Sequence, residues 1–110
     1  MTDTRVVLMT VPDAHTAEVV AGKVVAERLA ACASILPEVT SVFWWEGEIQ
    51  RSNEVLVVMK TASERVDELV SRAAELHPYE VPELLALPVE NGLSEYLAWV
   101  GRECLVVGVG

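Results

Sequence analysis

Apolar residues occupy every position from Val6 to Met9 and recur at Val11, which predicts a first strand over residues 5–11 with both faces greasy. Pro12-Asp13 interrupts it, and Asp13 is suited to cap the next helix. That helix is predicted over residues 14–31, with Ala17, Val20, Ala21, Val24 and Val25 on one side and Glu18, Lys23 and Glu27 on the other. The alanines Ala30, Ala31 and Ala33 at its end would let it lie close to a sheet.

The organising stretch runs from Arg28 to Thr61. Two long apolar runs flank Glu46-Gly47-Glu48, and Gly47 takes a positive φ without steric cost, as a tight hairpin requires. Strands of a dozen residues would reach roughly 40 Å at about 3.3 Å per residue, against a usual length of about five or six residues. Trp44 and Trp45 near the tip offer large apolar area, which predicts packing against another copy of the chain.

Thr61 and Glu64 stand at capping-box spacing, so a second helix is predicted to start there, with Val66, Leu69, Val70 and Ala73 inward. His77-Pro78 ends it, because the residue before proline is pushed out of the helical region. The segment from His77 to Pro82 is then an extended, proline-stiffened connection. Leu84 to Leu87 reads as a fourth strand, and residues 94–103 as a third helix with Tyr96, Leu97 and Val100 on one face and Trp99 beside it. The tail, Leu105 to Gly110, is expected to add a small edge strand or to fray.

The order β-α-β-β-α-β plus a C-terminal helix is the ferredoxin-like, α+β pattern, with helices on one face of a four-stranded antiparallel sheet and a long β2–β3 hairpin. A sheet with one wet face should alternate, yet Val55 to Met59, Val6 to Met9 and Leu84 to Leu87 do not. Burying about 600 Å² per subunit at ~25 cal/mol/Å² is worth ~15 kcal/mol gross, before association costs. Oligomerisation through the sheet face is the simplest solution, and a homotrimer is the expected form.

Composition narrows the partners. The 110 residues are 52% hydrophobic and form one domain, residues 1–110, that can build its own core. Seventeen acids against eight bases give −9 with no basic cluster, so neither nucleic acid nor an anionic membrane is an expected partner. No membrane-length apolar run and no signal-peptide pattern occur, which predicts cytoplasmic residence, with Cys32 and Cys104 as reduced thiols. There is no CxxC or other metal-ligand spacing.

The segments RLAAC (Arg28–Cys32), WWEGEI (Trp44–Ile49), EVLVVMKT (Glu54–Thr61), HPYEVPE (His77–Glu83) and YLAWV (Tyr96–Val100) resemble, in order, those of the CutA family of divalent-cation tolerance proteins. The resemblance implies a ferredoxin-like subunit in a compact homotrimer, similar in build to the PII-type signalling proteins, with hairpins packed across neighbours. It also implies a link to tolerance of copper and other divalent metals, with copper binding in some members, and no enzymatic activity is established for that family. Copper-binding members of that family draw on a cysteine of the first strand and a His-His pair before the proline. The matching positions here hold Met9, Leu76 and His77, so one histidine remains and a thioether replaces the thiolate. Methionine and histidine suit soft Cu(I), while two ligands make a weak Cu(II) site.

His77 is therefore the first candidate metal ligand, with Met9 and Cys32 as soft ligands behind it; each also has a bland role, helix-end hydrogen bonding for His77 and core packing for Met9 and Cys32. No cofactor is expected beyond a weakly held divalent ion or copper. Tyr79, Glu80 and Glu83 are expected to wall a cleft between subunits together with Lys60 and Arg28, where the carboxylates offer oxygen ligands to a divalent cation or hydrogen bonds across the interface. Trp44 and Trp45 are expected in interface packing. Four functions compete: a trimeric metal-homeostasis protein, a PII-like sensor with a small metabolite in the inter-subunit clefts, a platform for a partner protein, and an enzyme. The last is disfavoured, since no nucleophile–base pair, phosphate-cradling glycine loop or zinc motif is present.

Overall fold

The computed structural model describes residues 1–105. The predicted tail strand lies, but for Leu105, outside the described residues. Four strands form one antiparallel sheet in the order β2-β3-β1-β4: β1 (Thr4–Val11), β2 (Cys32–Trp45), β3 (Glu48–Ala62) and β4 (Leu84–Pro88). Three helices, α1 (Ala14–Ala26), α2 (Val66–Leu76) and α3 (Ser94–Glu103), complete the α+β, ferredoxin-like arrangement predicted above.

Helix α1 begins as predicted, with the Asp13 carboxylate accepting from the Thr16 amide at 2.8 Å. It ends five residues earlier than its alanines suggested. Arg28 adopts a left-handed φ of 60°, its amide donates to the Val25 carbonyl, and the Leu29 amide donates to the Val24 carbonyl. These two bonds are the Schellman arrangement that satisfies the orphan carbonyls of a helix end, here with arginine where glycine is usual. Ala30, Ala31 and Ala33 accordingly belong to the connection and to β2.

The predicted capping box at Thr61 does not form. Thr61 is fully buried and its hydroxyl donates to the Leu29 carbonyl at 2.6 Å, beyond the end of α1. The chain turns instead through a short 3-10 segment, Ser63–Arg65, whose Ser63 amide donates to the Asp3 carbonyl, before α2 starts. A local pattern lost here to a tertiary hydrogen bond.

Val7, Met9 and Val11 of β1 and Val55, Val57 and Met59 of β3 face the helices, where they meet Ala17, Val20, Ala21 and Val24 of α1 and Leu69 and Ala73 of α2. Helix α3 closes one end of the sheet through Val100 and Cys104, packed with Ala31 and Ala62. The other sheet face carries Val6, Leu8, Leu56 and Val58 half-buried, and Leu36, Leu85 and Leu87 exposed. Leu85 alone leaves 54% of its surface open. The described residues cover one apolar face of two.

Beyond the Val11–Val55 pair, β1 has ended and β2 and β3 continue as a two-stranded ribbon to the turn at Glu46-Gly47. Both turn residues have positive φ, 49° and 80°. This is the primed geometry that matches strand twist. The arm makes the molecule long, 48 × 29 × 22 Å, with a radius of gyration of 14.7 Å. A compact chain of this size would have about 13 Å. Between the Leu36–Leu56 and Val39–Glu54 pairs, β2 advances three residues while β3 advances two, so Pro37-Glu38 forms a bulge. One extra residue inverts the side-chain alternation. It brings Phe43 and Trp45 onto the face that carries Leu36, Leu56 and Glu54.

Two substitutions test this account. Gly47→Ala meets no neighbouring atom, so its cost is conformational alone, about 1 kcal/mol or slightly more, read as a lower denaturation midpoint. Thr61→Val removes the donor to a buried carbonyl and should cost about 1–3 kcal/mol in the same measurement.

Candidate functional site

The loop from His77 to Glu83 leaves the end of α2 and is locked to the sheet by side chains. The His77 ring is buried and uses both nitrogens: Nδ1 lies 3.1 Å from the Tyr79 amide and Nε2 lies 2.7 Å from the Thr10 carbonyl. An amide can only donate and a carbonyl can only accept. Nδ1 is therefore the acceptor and Nε2 carries the proton, which fixes a neutral tautomer. The His77 and Tyr79 rings stand 4.7 Å apart. The Tyr79 hydroxyl then donates to Glu54 Oε2 at 3.0 Å.

Glu54 is only 8% exposed, although it sits where the ribbon leaves the sheet. Among the described residues it forms no ion pair with a basic side chain. Burial, and then the hydrogen bond to the Glu54 carboxylate, push the Tyr79 phenol above its ordinary value. Glu54 borders a cavity of about 790 Å³ beneath the arm, with Phe43, Trp45, Tyr79 and Glu83 among its walls. The sequence reading missed Glu54. Its only local sign was an acid in phase with the open sheet face, one residue before an apolar run.

The other predicted residues are spread over the fold. Met9 is fully buried between sheet and helices. Cys32 pairs with Lys60 across β2 and β3, on the opposite sheet face by alternation, and its sulfur lies 3.4 Å from the Tyr96 hydroxyl. That contact, together with burial, pushes the Tyr96 phenol up to about 12. Met9, Cys32 and His77 thus do not form one ligand set within a chain, and among the described residues no three His, Cys, Asp or Glu groups are placed to hold a metal. His77 can ligate a metal only by giving up the Tyr79 amide or the Thr10 carbonyl.

Lys60 donates to the Ser34 hydroxyl at 3.1 Å, and Arg28 pairs with Glu103 at 3.1 Å. Both lie toward the α3 end of the sheet, while Tyr79 and Glu83 lie at the root of the arm. Lys60 is five residues along β3 from Val55, roughly 17 Å at about 3.4 Å per residue. Within one chain the expected cleft residues do not meet. Glu80 is exposed on the same loop as Tyr79. Trp44 is 71% exposed, directly opposite exposed Ile49 in the ribbon, and Trp45 is exposed on the cavity side.

A ferredoxin-like chain with an overlong hairpin arm, a histidine-clamped loop at the arm's root and an unsheathed sheet face is one defined class of protein. A family model described as CutA1 divalent ion tolerance protein matches residues 5–103, and the chain belongs to that family. The divalent-cation tolerance protein CutA of Salmonella newport is 46% identical over 95 residues, covering 86% of this chain and 83% of that protein. The crystal structure of CutA from Xylella fastidiosa superposes with a TM-score of 0.92 at 38% identity, covering 94% of this chain and 99% of that one. The Archaeoglobus fulgidus CutA structure, described as periplasmic, gives 0.90 at 33% identity over 93% and 99%. No helix among the described residues is long and apolar enough to cross a membrane.

The two tyrosines of the chain provide a pH test. Both phenols are raised, so each favours the neutral form in the folded state. The stability this contributes is complete below the unfolded value of about 10 and is lost as pH rises through the folded values. Ultraviolet titration should accordingly show phenolate forming only above about pH 10, and Tyr96→Phe should remove the step at about pH 12.

Proposed function

We propose that this protein acts as a non-catalytic homotrimer in divalent-cation tolerance, with the open sheet face and the hairpin arm buried between copies. The observation that carries the proposal is the second apolar face: Leu36, Leu85 and Leu87 stand exposed beside half-buried Val6, Leu8, Leu56 and Val58. The arm adds Trp44 and Ile49, paired on the side away from the cavity. Contiguous apolar area of this kind marks an interaction surface, and the likeness to CutA proteins supports the role. Copper or another divalent ion is held weakly in this reading, because His77 must first release a hydrogen bond to ligate it. Cytoplasmic residence is part of the same proposal, consistent with two free thiols.

A second reading, a PII-like sensor, is favoured by the cavity beneath the arm. A small metabolite there would meet Tyr79 and Glu83, while Lys60 and Arg28 of the same chain lie toward the other end of the sheet.

Sedimentation equilibrium at micromolar protein should report a mass of three 12.0 kDa chains. Leu85→Glu with Leu87→Glu, which places charge on the open face, should shift the population to monomers of unchanged helical content. A wild-type monomer at that concentration would sink the proposal, and a dimer would sink the trimer.

A further inference from the structure

We propose that the cavity beneath the arm is a binding site for a small organic cation, an amine or quaternary ammonium compound. This rests on the sensor reading, in which the cavity stays open to a ligand in the assembly, and it assigns that ligand its charge and chemical class.

Three observations on the cavity converge. Its volume of about 790 Å³ suits a small molecule, since such sites span about 300–1,000 Å³, and it is far larger than a bare metal ion needs. Its walls include three aromatic rings, Phe43, Trp45 and Tyr79, which attract a cation through their negative faces. It also carries two carboxylates, Glu54 and Glu83, against one basic residue, Arg51.

Glu54 carries the most weight. A buried carboxylate is ordinarily matched by a positive partner. Here the partner is a phenol, which supplies a hydrogen bond to one oxygen and no charge. The Tyr79 ring that makes this bond is fixed from behind by the His77 clamp, so carboxylate and ring are held together before any ligand arrives. A positively charged guest between Glu54 and the rings supplies the missing counter-charge. An anionic metabolite would meet two carboxylates at the same place, so the cavity selects against one.

Choline and 1,4-diaminobutane are suitable probes, with 3,3-dimethylbutan-1-ol as the uncharged isostere of choline and ATP and Zn(II) as the competing chemistries. Tryptophan fluorescence and calorimetric titration of the assembled wild-type protein are expected to show saturable binding of at least one cation and none of the alcohol. Glu54→Gln should weaken that binding about tenfold, and Tyr79→Phe, which keeps the ring and loses the hydroxyl, should weaken it less. Circular dichroism of both variants reports their folding, and Trp45→Leu gives an independent readout by removing a wall without touching a charge.

Equal binding of the alcohol, preferential binding of ATP or Zn(II), or no binding of either cation at millimolar concentration overturns the proposal. So does dissociation of the oligomer by Glu54→Gln with no cation bound, which would give the site to a basic side chain of a second copy. The trimer is judged separately by sedimentation: a trimer that binds no cation sinks only this site, and a monomer that binds one sinks only the assembly.

Discussion

Central strands with apolar side chains on both faces set the terms for everything else in this fold. Helices α1 and α2 bury one face of β1 and β3, and no further element among the described residues covers the other. The hairpin makes the same demand in a second form. Past Val11 it is a two-stranded ribbon, and such a ribbon in water is marginally stable at best. An exposed sheet and an unsupported arm within one small chain would both be covered by the neighbour proposed above.

At the root of that arm, polar contacts replace apolar packing. The Thr10 carbonyl, His77, the Tyr79 amide and hydroxyl, and Glu54 form a chain of hydrogen bonds joining β1, the loop after α2 and β3. Because His77 is held as a neutral donor–acceptor bridge, its position before Pro78 is first a structural one. The residue that the CutA resemblance marks as a metal ligand orients the aromatic wall of the cavity here.

The sequence revealed the order of elements, because each strand and helix carries its own periodicity. The long hairpin was legible from Gly47 and the lengths of the flanking runs, and the sheet's second apolar face from the failure of alternation in Val55 to Met59. The end of α1 and the start of α2 were not, for one shared reason. Arg28 in a left-handed conformation and Thr61 bonded to the Leu29 carbonyl are settled by contacts between segments far apart in the chain, while alanine propensity and the capping pattern are local. The site was only half legible for a similar reason: His77, Tyr79 and Glu83 share one motif, whereas Glu54 joins them from 25 residues before Tyr79.

The bulge at Pro37-Glu38 absorbs one residue of β2 without moving the pairs on either side of it. Deleting that residue would restore a regular ladder and leave Phe43 and Trp45 on the cavity face, whereas sliding β2 by one residue along β3 would turn its side chains over and bring Trp44 to that face. Relatives whose second strand is one residue shorter here can therefore keep the same two walls. A single-residue gap in a comparison of their hairpins then marks a bulge gained or lost, not a tryptophan that has changed sides.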